Sequence, residues 1–165
     1  MAVLYGIDQA AQQVWGQEPD LVISGPNEGN DLGYMNNNSG TLGATMIALS
    51  RGIPAIVVSA DQVTASDDQQ SKLVAQTVVD IVAKLVETQP AGQPLLPAYT
   101  GLNVNTPKDM NHNLGYKYTD VGWNAGNMEV LFTGDLSEND DLVAYAAQAM
   151  LEKGYASSKF YLGLS

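Results

Sequence analysis

The stretch "DLVISGPNEGNDLGYMNNNSGTLGATMIALSRGIPAIVVS", Asp20–Ser59, decides the fold of this chain. It opens on DLVIS, Asp20–Ser24, a short apolar run with β-branched residues, the pattern of a strand buried on both faces. A segment dense in Gly, Asn and acidic residues comes next, from Gly25 to Gly40. TLGATMIALSR, Thr41–Arg51, then places Leu42, Met46 and Leu49 on one helical face, with small Gly43, Ala44 and Ala48 permitting close packing. Gly52 and Pro54 end that helix, and AIVVS, Ala55–Ser59, predicts a second buried strand.

Working outward, Val3, Ile7, Ala10 and Val14 recur at helical spacing, with Leu4, Ala11 and Trp15 beside them. This predicts an amphipathic helix over Ala2–Trp15, stopped by Gly16 and Pro19, with Trp15 in register with the core. Downstream, Ser66 fits an N-cap with Asp67 and Asp68 in the first turn, and Leu73, Thr77, Ile81, Val82 and Leu85 carry a helix to about Glu87. Glu87–Pro97, with its prolines, fits a surface crossover. GLNVNTP, Gly101–Pro107, predicts a third strand with Asn103 and Asn105 on one side and Leu102 and Val104 on the other. Lys108–Thr133 is loop-rich with strand character at Met128–Phe132. Asp140–Lys153 predicts a last helix and Lys159–Leu164 a short strand. The alternation predicts an α/β fold: a mostly parallel, Rossmann-like sheet with helices on both faces, in a single domain over 1–165. A parallel α/β domain ordinarily starts on a strand, whereas this chain opens inside a helix. The expectation is therefore an N-terminally truncated version of such a fold.

Composition narrows the function. The chain has 165 residues, 45% hydrophobic and 15% charged, which fits a globular domain. Its 18 acidic and 7 basic residues leave a net charge of -11, which argues against binding a nucleic-acid duplex or an anionic membrane surface. A small phosphorylated ligand remains compatible, because backbone N–H groups and a metal can hold it. The absence of cysteine excludes disulfides and thiolate metal sites. No run of apolar residues is long enough to span a bilayer. Met1–Tyr5 has no basic n-region, so no signal peptide is visible. The sequence leaves the compartment open: cytoplasmic or, if an N-terminal segment is missing, periplasmic or secreted.

In open α/β sheets ligands sit outside the carboxyl ends of the strands, where the Gly25–Gly40 loop lies. Free N–H groups at Ser39, Gly40 and Thr41, with the positive end of the helix dipole, can hold a phosphate. Asn27, Glu28, Asn30 and Asp31 offer hard oxygen ligands suited to Mg²⁺, Mn²⁺ or Ca²⁺. A hard cation beside an anion cradle suits phosphoester hydrolysis. Asn, Asp and Gly also dominate loops merely by making Asx-turns and tolerating left-handed backbone, so a structural loop fits the composition as well. The loop matches neither the P-loop pattern nor the dinucleotide-binding glycine spacing.

The order of residues goes further. Pro19–Ser59 resembles, without gaps, the SurE family of metal-dependent nucleotidases and acid phosphatases. Members of that family carry Pro-Asp, an apolar run and Ser-Gly-Ile-Asn-x-Gly-x-Asn-Leu-Gly, then Tyr-Ser-Gly-Thr, then a Gly-(apolar)-Pro strand ending in Ser. Ala2–Ile7, "AVLYGI", resembles the helix before the motif, and Leu102–Pro107, "LNVNTP", a later strand. Gly154-Tyr155 resembles a short segment before the closing strand. The resemblance implies hydrolysis of nucleoside 5′- or 3′-monophosphates or other phosphate monoesters with Mg²⁺ or Mn²⁺. It places the metal-binding Asn on Asn27 and the phosphate-binding turn on Ser39, Gly40 and Thr41.

Three departures qualify it. The family's second loop Asn is Asp31 here, adding charge that either strengthens cation binding or repels phosphate. The Tyr before Ser-Gly-Thr is Asn38, and the Ile before Asn is Pro26. The paired Asp residues of the family's first strand, its principal metal ligands, have no counterpart, and their role does not transfer to Asp67 or Asp68. Trp123 is the aromatic candidate for stacking a base. His112, the only histidine, fits a polar loop as well as an acid or base. Asn37-Asn38-Ser39 is formally a glycosylation acceptor. The expected partners are a small phosphorylated substrate and further copies of the chain, as a dimer or tetramer. The rival expectation is a truncated, non-catalytic SurE-like module that binds phosphate or serves oligomer assembly. A nucleotide- or sugar-binding Rossmann domain unrelated to hydrolysis is a third.

Overall fold

Three parallel strands form one sheet in the order β1-β2-β3: β1 is Val22–Glu28, β2 Ala55–Ala60 and β3 Gly101–Asn105. The structure, a computed structural model, describes residues 2–122, which lie within one unit, Met1–Gly126. The expected elements at Met128–Phe132, Asp140–Lys153 and Lys159–Leu164, the Gly154-Tyr155 segment and Trp123 lie outside the described residues.

Each residue of β2 is buried, as its unbroken apolar run requires of a central strand with helices on both sides. Ile56, Val58 and Ala60 point to one face. They meet Val74, Val78, Ile81, Val82 and Leu85 of a long helix, α5, Asp68–Thr88. Ala55 points to the other face and packs with Ala48 and Leu49 of α3, Gly40–Ser50, and with Ile7 of the first helical segment. The α/β expectation therefore holds, with helices on both faces.

The first helical segment comprises α1, Ala2–Tyr5, a π-helical stretch, Gly6–Ala11, and α2, Gln12–Trp15. Ile7 and Ala11 are buried, but Trp15 is 64% exposed, against the expectation that it belongs to the core. A π turn carries an extra residue and rotates the residues after it off the regular helical phase. Val14 and Trp15 instead line an open apolar groove with Val3, Ala10 and Leu21. Arg51, just past α3, ties this region down through Asp8 at 2.9 Å and Glu18 at 3.2 Å.

Two helices differ in detail from expectation. In α3 the deeply buried positions are Thr45 and Ala48, while Met46 is 55% exposed. The small side chains face the sheet and the long one turns to solvent. Asp67, not Ser66, caps α5, accepting from the N–H groups of Gln69 at 2.8 Å and Gln70 at 3.0 Å. Ser66 ends a short preceding helix, α4, Gln62–Ala65, which has its own cap in Asp61. Among α5 residues Leu73 lies at the edge of the buried stripe, one position from buried Val74.

β1 runs further than the apolar pattern marks and, against expectation, is not buried on both faces: it lies at the edge of the three described strands, with Ile23 45% exposed. Its pairing with β2 shifts register between Ser24 and Asn27, then resumes with Asn27 opposite Ser59 and Glu28 opposite Ala60. The Gly29 N–H extends the pairing to the Ala60 carbonyl at 2.7 Å. Gly25 makes the bulge possible: its φ is +108°, and a Cβ there would stand 2.3 Å from the Val58 carbonyl oxygen. The irregularity carries Asn27 onto the strand end rather than into the loop.

Candidate functional site

The polar cluster at the carboxyl ends of the strands is built around Asp31. Its side chain is 9% exposed. Asp31 Oδ2 accepts from the Ser39 hydroxyl and from the Ser59 hydroxyl, the latter at 3.4 Å. Ser59 is fully buried at the end of β2, directly across from Asn27 on β1 and Asn105 on β3. No lysine, arginine or histidine lies within ion-pair distance of Asp31 among the described residues. A buried carboxylate held only by neutral hydroxyls is an uncompensated charge, which is costly unless something positive arrives.

Ser39 works in two directions. Its backbone is extended (φ -75°, ψ 118°), as an N-cap requires, and its Oγ accepts from the Leu42 N–H at 3.0 Å. The same oxygen donates its hydrogen to Asp31. The loop carboxylate, the helix cap and the end of β2 are thereby locked together. The Gly40 and Thr41 N–H groups carry no hydrogen bond among the described residues, and Gly40 is exposed. They sit at the positive end of α3, which is where an anion would be held.

Asn27 is half-buried. Its Nδ2 donates to the Gly29 carbonyl at 3.0 Å and the Glu28 carbonyl at 3.4 Å, which orients the carboxamide and leaves Oδ1 without a hydrogen bond among the described residues. Asn30 Oδ1 is buried without a partner among the described residues. Glu28 and Asn38 are exposed, and Asn38 joins no side-chain hydrogen bond among the described residues. The structure thus brings Asn27, Asp31 and Ser39 to one strand end and leaves Asn38 outside it.

Other members are not evident from composition. Asn103 and Asn105 share a strand face as the alternation predicts, and they form a relay. Asn105 Nδ2 donates to Asn103 Oδ1 at 3.3 Å, and Asn103 Nδ2 donates to Asn36 Oδ1 at 3.0 Å. Asn36 is anchored to the Gly33 carbonyl at 2.8 Å within a 3-10 turn, Gly33–Asn38. Asn105 Oδ1 and the Oγ1 of Thr106, a residue only 4% exposed, are buried without partners among the described residues. The Thr106 N–H donates to the Ser59 carbonyl at 3.0 Å, extending the pairing of β2 and β3 by one bond. The sequence signal for Ser59 was its place as the last polar residue of a buried strand. Asn36 and Thr106 carried none.

His112 lies elsewhere. It is exposed, comes after β3 in a 3-10 turn, Met110–His112, and pairs through Nδ1 with Asp109 at 2.5 Å. Hydrogen bonds from the imidazole and from the Asn111 N–H hold the Asp109 carboxyl below its usual value. The turn docks on α5, with the Met110 N–H donating to Gln70 Oε1 at 2.8 Å.

Comparison with known proteins bears on this arrangement. The profile of the family described as Survival protein SurE matches residues 1–127. The chain belongs to the SurE family. It is 42% identical over 90 residues to 5'-nucleotidase SurE of Geotalea daltonii, covering 54% of this chain and 33% of that protein. It is 34% identical over 115 residues to an acid phosphatase of Yarrowia lipolytica, covering 64% of this chain and 32% of that one. Among solved structures, SurE protein from Aquifex aeolicus superposes with a TM-score of 0.57 at 34% identity, over 73% of this chain and 44% of the other. The chain spans about a third of the length of these two curated relatives. The polar cluster, from Asn27 to Thr106, falls wholly inside the SurE-matched residues.

Proposed function

We propose that this chain carries the phosphate-holding part of a divalent-metal-dependent phosphomonoesterase site, acting on nucleoside monophosphates or other phosphate monoesters. One observation supports it above the others: Asp31, a buried carboxylate without a cationic partner among the described residues, is tied to the N-cap of α3 beside N–H groups that are unengaged there. The names of the related proteins from Geotalea daltonii and Yarrowia lipolytica support the same class of reaction.

The donor set fits a hard cation in kind. Asp31, Asn27 Oδ1 and buried, unpartnered Asn30 Oδ1 are oxygen ligands of the type Mg²⁺ and Mn²⁺ take. When bound, such a metal polarises phosphoryl oxygens and lowers the pKa of a coordinated water. The chain's own residues do the positioning. The N–H groups of Gly40 and Thr41 hold phosphate oxygens against the positive end of α3. The Thr41 hydroxyl, which has no hydrogen bond among the described residues, is a further donor. Ser59 and Ser39 fix the Asp31 carboxylate, and the Asn105–Asn103–Asn36 relay braces the 3-10 turn that leads into Ser39.

Phosphate release from nucleoside monophosphates and p-nitrophenyl phosphate, with Mn²⁺ and after EDTA treatment, tests this reading. The expected result is turnover that EDTA abolishes and that Asn27→Ala lowers by at least about tenfold, the scale of a lost ligand or its support. Activity that survives metal stripping would sink it.

A second reading rests on a different observation. Among the described residues no three His, Asp or Glu side chains converge on a point, whereas Mg²⁺ sites ordinarily use one or two carboxylates plus waters and substrate. A non-catalytic SurE-like module that binds phosphate or assembles into dimers or tetramers fits that sparse donor set. Metal-dependent turnover by the chain refutes this reading. Phosphate binding without turnover, with a dimer or tetramer in sedimentation, supports it.

A further inference from the structure

We infer that Asp31 makes anion binding at the N-terminus of α3 conditional on a cation. This rests on the phosphate-holding role proposed above and deepens it by naming the residue that controls entry. A charge already stands at the cradle. The Asp31 carboxylate is fastened to the capping residue of α3 through the Ser39 hydroxyl, so a negative charge is held beside the positive end of that helix. Its only partners among the described residues are two neutral hydroxyls, Ser39 and Ser59, both on Oδ2, which leaves Oδ1 without a hydrogen bond. Arg51, just past α3, lies at the opposite end of that helix and is engaged with Asp8 and Glu18.

An arriving phosphate is affected in two ways. It meets a like charge in a poorly solvated position, where repulsion is weakly screened. It also loses a donor, because the Ser39 hydroxyl already gives its hydrogen to Asp31 while its oxygen accepts from Leu42. Only the backbone N–H groups and Thr41 remain. A divalent cation on the free Oδ1 side reverses the first effect, since the same carboxylate then supports a positive site beside the phosphate. The buried Asn30 Oδ1, without a partner among the described residues, supplies a further oxygen in the same loop. By linkage, phosphate must tighten cation binding by the same factor that the cation tightens phosphate.

The test is calorimetric titration of inorganic phosphate into the wild-type chain, Asp31→Asn and Asp31→Ala, each with EDTA and with saturating Mn²⁺. Asn keeps the shape and an oxygen for Ser39, and Ala frees the Ser39 hydroxyl. Metal-free phosphate binding about tenfold or more tighter in both variants than in wild type, with a smaller Mn²⁺ enhancement than wild type shows, supports the inference. Metal-free binding no tighter in the variants overturns it while leaving the phosphate site intact. Wild-type phosphate affinity that is the same in EDTA and Mn²⁺ overturns it without recourse to any variant. No phosphate binding by any of the three proteins in Mn²⁺ overturns both this inference and the phosphate-holding reading beneath it.

Discussion

At the scale of single residues, the candidate site depends on positions where a side chain must be absent as much as on those where one is present. Gly25 sits at φ +108° with the Val58 carbonyl where its Cβ would go, and that bulge sets Asn27 opposite Ser59. Gly25→Ala combines left-handed strain with a backbone clash and is expected to cost about 3 kcal/mol or more, read as a lower urea midpoint. An Ala variant as stable as wild type would mean that the bulge relaxes freely. Asn27, Ser39, Gly40 and Thr41 were legible as candidates because their order, not their composition, resembles a known motif. The geometry adds that Ser39 is spoken for: its hydroxyl is a cap acceptor and a donor to Asp31 at once. Asp31's other partner, Ser59, lies 28 residues from it in sequence, a pairing that no local pattern announces.

At the scale of elements, the helices are set by their caps and by which stripe meets the sheet. The α5 cap is Asp67 because its carboxylate reaches two N–H groups, while the Ser66 hydroxyl bonds back to the Gln62 carbonyl at 2.7 Å in the preceding turn. Asp67→Ala is expected to cost about 1 kcal/mol, the usual value of a cap. Ser39→Ala removes a cap and also takes one of two hydroxyl donors from a buried carboxylate, so about 2–4 kcal/mol is expected. Chemical denaturation of the two variants side by side checks the order, and equal losses would show that the Ser39–Asp31 bond contributes little. Periodicity located α3 and α5 to within a residue or two. It misassigned Trp15 because a sequence pattern assumes a regular helix, whereas the π-helical Gly6–Ala11 stretch shifts phase partway along.

At the scale of the whole molecule, two opposing facts meet: a parallel sheet sandwiched by helices, and a net charge of -11. Like charges on a compact chain repel more than on an extended one, and salt screens that repulsion within about 10 Å at 0.1 M. Raising NaCl from about 10 to about 150 mM is therefore expected to raise the melting temperature, and a fall would show that attractive pairs dominate the surface. Local rules were enough for the α/β class, the three strands, the flanking helices and the two ends of the candidate site. Apolar runs, helical spacing, turn residues and the unbroken order of Pro19–Ser59 carry all of these. The meeting of Asp31, Ser39, Ser59 and Asn27 became visible only in three dimensions, as did the bracing of the turn behind them by Asn105, Asn103 and Asn36. The physical reason is that parallel pairing brings the ends of strands distant in sequence side by side. A carboxylate's surroundings depend on that through-space assembly and not on its neighbours in the chain.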